Sequence, residues 1–227
     1  MAQEEPVRVK QQFIRAPHFQ KDILADLNSW RTIFYGLGLI GQDAGTLHER
    51  VRNFFRRQSS GRYGGVEFGS VSKRFPGFEY GDYRKFLVNG SGTGKIERLT
   101  EEHYTLVTEY DLETARVKST GPIEAHLDSL IHALVYTKWG LAGFVFHVHS
   151  PDIWRNRKRL RVPATREDVG YGTPEIVEEV GRLFNEGKVG IFMNLFAIGS
   201  YEDSIVSFGQ DSLAAGSAIV KYLSRSL

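Results

Sequence analysis

The sequence predicts an α/β domain in which a mostly antiparallel sheet is covered by helices. Three observations predict it. Amphipathic helical stretches are interspersed with short alternating strand stretches. Several strands follow one another directly, without the long crossover that parallel neighbours need. No internal repeat or low-complexity linker divides the 227 residues, so residues 18–227 read as one domain after a polar tail over 1–17.

Taken in order, Ile23, Leu24, Leu27, Trp30, Ile33, Phe34 and Leu37 recur at three- and four-residue spacing. They predict a helix from about His18 to Leu39, punctuated by Gly38 and Gly41. Leu47 to Arg57 reads as a short basic helix, and the glycine- and aromatic-rich stretch Ser59 to Gly81 as loops and hairpin strands. Lys85 to Val88 is a short strand running into the turn Asn89-Gly90-Ser91-Gly92-Thr93-Gly94-Lys95. Leu99 to Glu102 looks like a helix start, and Thr105 to Tyr110 is a strand. Asp128 to Thr137 is a helix with Leu130, Ile131, Leu134 and Val135 on its apolar side. Gly143 to Val148 is a strand, and Thr173-Pro174 opens a helix as cap and first turn. Gly190 to Phe196 and Ser204 to Phe208 are strands, and Leu213 to Leu223 closes the chain as a helix.

Composition excludes some chemistry. There are no cysteines, which rules out disulfides, thiolate metal sites and a cysteine nucleophile. A metal would need His, Asp, Glu or Tyr. The net charge of +2 does not imply nucleic acid. The run Arg155 to Arg161 carries five basic residues in seven, and reads as a solvated face or subunit contact rather than a nucleic-acid patch, since no recognisable binding module surrounds it. The polar N-terminus lacks the apolar core of a signal peptide, and no apolar run reaches membrane-spanning length, so a cytoplasmic location is expected.

The strongest chemical signal is Phe144-Val145-Phe146-His147-Val148-His149-Ser150. Side chains alternate along a strand, so His147 and His149 share a face and can grip one divalent ion. The competing reading is a pair of strand-end histidines satisfied by hydrogen bonds and water. The glycine turn is not a P-loop, because three residues rather than four separate Gly90 from Gly94-Lys95 and Ile96 follows. It reads either as an anion-holding loop or as a flexible turn. His132 lies four residues after Asp128, which places both on one helix face.

In this order the blocks resemble the class II aldolase/adducin superfamily, which includes fuculose-phosphate-type aldolases and ribulose-phosphate 4-epimerases, from about Leu24 to Leu223. Leu37-Gly38-Leu39-Ile40-Gly41, Gly69-Ser70-Val71-Ser72-Lys73-Arg74 and Phe86 to Gly92 carry the resemblance. So do Asp128, His132 and Tyr136 by their spacing, His147-Val148-His149-Ser150-Pro151, Tyr171 to Glu175, and Gly199-Ser200-Tyr201-Glu202-Asp203. The resemblance implies a three-layer α/β/α fold with a central mixed, mostly antiparallel sheet. It implies a lyase or epimerase acting on a small, phosphorylated hydroxy-carbonyl compound, a sugar-phosphate-like partner, through a metal-stabilised enediolate. The implied cofactor is a divalent metal, Zn2+ ahead of Mn2+ or Fe2+, held by His147 and His149. Asp128 and Tyr201 take the catalytic positions and Ser70, Ser91 and Gly92 the phosphate pocket, where His126 could also donate; the competing readings of His126 are a replacement third metal ligand and an exposed loop residue. A homo-oligomer, most often a tetramer in this family, is implied as well. The departures are specific. Tyr201 stands where the family has its third histidine ligand, Ser204 where a glycine follows, Ser70 where Asn is usual, and His126-Leu127 where a Ser-Ser pair precedes the acid. These departures suggest, as the alternative, a non-catalytic adducin-like homologue that keeps the fold as a binding or structural oligomer.

Overall fold

The computed structural model describes residues 9–41, 67–75, 84–170 and 173–227. The strands are β1 (Lys10–Arg15), β2 (Ser70–Arg74), β3 (Phe86–Asn89), β4 (Tyr104–Asp111), β5 (Arg116–Gly121), β6 (Phe144–His149), β7 (Leu195–Ala197) and β8 (Ser204–Gly209). The helices are α1 (Ala25–Gly36), α2 (Ser129–Lys138), α3 (Pro151–Arg155), α4 (Pro174–Asn185) and α5 (Ser212–Ser226). One eight-stranded sheet runs in the order β1-β5-β4-β3-β2-β6-β8-β7. Only the β1–β5 pair is parallel; the other six pairs are antiparallel. The expected α/β fold with a mixed, mostly antiparallel sheet is the one observed.

Period-two alternation sorts the side chains into two layers. Val145 and Val206 face α2 and α4, joined there by Leu130, Leu134, Ile176 and Val180. Phe144, Phe146, Val148 and Val71 face the opposite layer of α1, α3 and α5, with Leu27, Phe34, Ile153 and Ile219. The strands from β3 to β7 in the sheet order are therefore largely buried on both faces, with β6 buried at all six positions, whereas β1, β4 and β5 keep exposed positions.

Element bounds differ from the pattern reading where local backbone chemistry decides. The first helix begins as a 3-10 turn over Lys21–Leu24, and its end is marked by Gly38 in the left-handed region (φ 64°). The stretch that reads as a tail contains β1, whose Gln11 and Gln12 give no alternating apolar signal. β5 is equally silent, since Lys118, Ser119 and Thr120 hide Val117. Of the strand expected from Gly190, only Leu195–Ala197 pairs. Gly187 and Gly190 have positive φ, and Phe192 is 99% exposed, so the segment before it runs as surface turns. Leu99 to Glu102 leads only to a 3-10 turn over Glu101–His103, closed by reciprocal Thr100 and His103 capping. The basic helix expected over Leu47 to Arg57 lies outside the described residues.

Candidate functional site

The site forms where β2, β6 and β8 meet the start of α2. Ser70 of β2 pairs with His147 of β6, and His149 pairs with Ser204 of β8. That register puts Ser70, Ser72, His147, His149 and Ser204 on the α2 side of the sheet. The end of β6 is anchored from outside, because the His149 amide donates to Leu39 O at 2.9 Å. Gly69 is required here. Its φ is 87°, and a Cβ would meet Ile40 and come within 3.2 Å of the His147 carbonyl.

Asp128 precedes α2 and is the hub. Its Oδ2 lies 2.6 Å from His147 Nδ1, 3.0 Å from Ser70 Oγ and 3.1 Å from His126 Nδ1. Burial alone would lift its pKa, but the neighbouring His147 and His126 charges and their hydrogen bonds outweigh it and hold the carboxyl well below the usual carboxylate range. Asp128 is therefore an anion at neutral pH. His126 shows the reciprocal effect. Burial pulls its imidazole down, but Asp128 pulls it up further, so its value is raised. The Asp128 amide also approaches His126 Nδ1, at 3.2 Å. One ring nitrogen cannot serve both groups, and the carboxylate charge decides for a donating Nδ1–H.

His147 is 1% exposed, and both its ring nitrogens are engaged: Nδ1 with Asp128, and Nε2 with Ser204 Oγ at 2.7 Å. His149 lies beside it, ring centroids 5.2 Å apart, between Phe68 at 5.1 Å and Tyr201 at 5.0 Å. Burial, then the neighbouring His147, holds His149 well below the ordinary histidine value. The Tyr201 phenol is pushed up by burial and by Asp128, so it stays protonated. A phenol of that kind is a poor metal ligand.

A pocket of about 280 Å³ opens over this hub. Its wall includes Glu67, Phe68, Ser91, Gly92, His126, Leu127, Asp128, His149 and Tyr201. The glycine turn is a braced structure. Asn89 accepts from the Val71 amide at 2.7 Å and donates to Thr93 Oγ1 at 3.0 Å. The buried Arg31 guanidinium donates to Thr93 O and Gly94 O, and Glu67 accepts from the Gly94 amide at 2.9 Å. Gly92 has φ 77°, which explains glycine at that corner. The Ser91 hydroxyl donates to Ala125 O at 2.9 Å, tying the turn to the His126 segment.

Seven of the eight residues singled out from sequence thus lie at or directly under one pocket: Asp128, Tyr201, Ser91, Gly92, His126, His147 and His149. Ser70 takes a different place. It is fully buried, donates to Asp128 and contacts His132 Nε2 at 2.8 Å, so its hydroxyl is committed inside the protein. Glu67 and Phe68 on the pocket wall, and Ser72 and Ser204 beneath it, are not among the residues that sequence reasoning selects. A signal for Ser72 is present in the alternation Ser70-Val71-Ser72, set against Asp128, His132 and Tyr136 at four-residue spacing.

The donor set can be compared with the needs of a metal. A metal-bound imidazole coordinates through one nitrogen while its other N–H is fixed by an acceptor. The Asp128 contact supplies that second half for His147, but the nitrogen left over is paired with Ser204. Among the described residues, no three His, Cys, Asp or Glu side chains converge in a group that could hold a metal ion. As arranged, the residues do not fit a three-histidine metal centre.

By sequence alone the chain matches no family model and no curated protein. Its fold is that of solved class II aldolase-type structures. L-fuculose-1-phosphate aldolase from Thermus thermophilus matches over 90% of both chains, with TM-score 0.55 and 19% identity. A sugar-phosphate aldolase from Thermotoga maritima matches over 90% of this chain and 92% of its own, with TM-score 0.61 and 10% identity. YgbL from Escherichia coli, a putative aldolase/epimerase/decarboxylase, matches over 90% and 86%, with TM-score 0.59 and 12% identity.

Proposed function

We propose that the pocket takes a small hydroxy-carbonyl compound bearing a phosphate or similar anion, and that the protein moves a proton at the carbon beside the carbonyl. The enediolate so formed is the same fragment that cleavage of the adjacent C–C bond would release, and its reprotonation on the opposite face would epimerise that carbon. The observation that carries this reading is geometric: Asp128 and His126 line the same pocket, with the His126 Nδ1 3.1 Å from the Asp128 carboxylate. Asp128 accepts the proton. His126, when it carries the proton that Asp128 favours, and the neutral Tyr201 phenol line the same pocket and would stabilise charge developing on the substrate oxygen. The anionic end would lie toward Ser91, Gly92 and His126.

The divalent metal that the resemblance implies enters no step of this reading, because the His147 nitrogen it would need is paired with Ser204. His147 and His149 remain the pair that would be asked to hold an ion if the Ser204 hydroxyl turned aside. The family resemblance also supports a homo-oligomer, with a tetramer favoured. No helix among the described residues is long and apolar enough to cross a membrane.

The test is deuterium exchange. The protein is incubated with dihydroxyacetone phosphate in D2O, and deuterium entering the carbon beside the carbonyl is followed by NMR. Exchange should fall by about 10²-fold or more in Asp128→Asn, the scale of a lost general base. A second reading, a binding protein that kept the fold without turnover, is favoured by Tyr201 and Ser204, which both work against the ancestral chemistry. Saturable ligand binding without any exchange would select it.

A further inference from the structure

Behind Asp128 lies a run of buried polar groups that the pocket itself does not use. Ser70 Oγ is 2.8 Å from His132 Nε2. His132 Nδ1 is 2.6 Å from Ser72 Oγ. Ser72 Oγ is 2.9 Å from the Tyr136 hydroxyl. All four residues are buried. Chemistry fixes the direction of every bond. A hydroxyl has one proton, and Ser70 gives its own to Asp128. Ser70 must then accept from His132 Nε2–H. Burial drags His132 down to about 3, so the ring is neutral and its Nδ1 can only accept. Ser72 therefore donates to Nδ1; its other acceptor, Val145 O, is a weaker 3.3 Å contact. With its proton spent, Ser72 accepts from Tyr136, whose phenol burial keeps protonated.

We propose that Tyr136, Ser72, His132 and Ser70 are positioning residues, a one-way hydrogen-bond chain that presents Asp128 with a fixed donor from below and so aims its carboxylate at His147 and His126. The proposal rests on the reading of Asp128 as the pocket's working carboxylate, but neither turnover nor substrate enters its test. Two consequences follow. His132 must carry its proton on Nε2, and His147, which meets the same carboxylate from the other side, must carry one on Nδ1. Cutting the chain at Ser70 must be felt at His147, because Asp128 would then have fewer donors to share. The helix spacing of Asp128, His132 and Tyr136, and the strand spacing of Ser70 and Ser72, are what make the chain continuous.

The experiment uses the full-length protein labelled with ¹⁵N-histidine, with imidazole signals assigned by NMR at pH 7. The expected result is His132 protonated at Nε2 only and His147 protonated at Nδ1. His132 protonated at Nδ1 would overturn the chain. In Ser70→Ala the His147 Nδ1–H proton should move further downfield as its bond to Asp128 strengthens, and Ser70→Thr, which restores a hydroxyl, should return it toward the wild-type position. An unmoved His147 signal in Ser70→Ala would reduce these residues to packing and overturn the proposal. If Ser70→Ala does not fold, Tyr136→Phe removes the far end of the chain with almost no change of volume. It should move the His132 Nδ1 resonance, and an unmoved resonance there overturns the proposal equally.

Discussion

The two faces of β2 and β6 are built from the same short stretches of sequence and obey opposite rules. One face carries Val71, Phe144, Phe146 and Val148 against α1, α3 and α5. Its contacts are dispersion contacts between apolar groups that leave no polar atom to satisfy, such as Phe34 against Phe146 at 5.4 Å. The other face carries Ser70, Ser72, His147 and His149 against the Asp128 end of α2, where each hydrogen bond has one partner and one direction. An apolar face tolerates another side chain of similar size. A polar face at this depth does not, because an orphaned buried donor or acceptor costs more than the bond it made.

The sharpest way to break that contrast is Asp128→Ala, which strips His147, His126 and Ser70 of their common acceptor. It should cost about 3–5 kcal/mol, the scale of removing one partner of a buried ion pair, read from urea denaturation. The matched pair Asp128→Asn and Phe146→Leu comes next. Asn keeps the size but presents donors to donors, and should cost about 1–3 kcal/mol. Phe146→Leu keeps the chemistry and should cost less than about 1.5 kcal/mol. Equal costs for the pair would erase the distinction between the faces.

Acidification probes the same polar face. His132 and His149 have folded values below the ordinary histidine value, so the unfolded chain binds their protons first as pH falls below about 6.5. Their contribution is fully present above that pH and is lost as pH falls, by up to about 1.4 kcal/mol per pH unit for each. His126 is raised, so its contribution is present below about 6.5 and is lost as pH rises through its folded value. The Asp128 contribution is lost only below its unfolded value of about 3.9. Urea midpoints should therefore decline from about pH 6.5 to about 4.5. A flat profile would mean that the two histidines are not buried neutral. The smallest effect belongs far from both faces: Lys118→Ala, which removes the exposed 2.7 Å pair with Glu109, should change stability by less than about 1 kcal/mol.

How much of this is legible in the sequence follows the same division. The strong periodicities find α1, α2, α4, β4, β6, β8 and α5, because apolar spacing reports burial directly. β1 and β5 escape because polar residues dominate them, and the partner of β1, β5, is distant in the chain. At the site, His147 and His149 stand out from the sequence because few residue types offer a metal-binding nitrogen, whereas Asp128 stands out only through the family resemblance. Ser70 reads as facing outward to a phosphate, whereas the fold turns it inward. Serine carries no signal of which way its hydroxyl points until the register of β2 against β6 is known. Ser204 is visible only as a departure, and its partner, His147 Nε2, lies 57 residues away in the chain.

Hydrogen bonds centred on Asp128, with Ser204 on the far nitrogen of His147, stand where the resemblance expects a metal. The direct measurement is metal content after incubation of the full-length protein with excess zinc or manganese and removal of unbound ion. The expected result is far less than one ion per chain for the wild type, rising toward one in Tyr201→His combined with Ser204→Gly. One tightly held ion per wild-type chain, lost in His147→Ala, would contradict it.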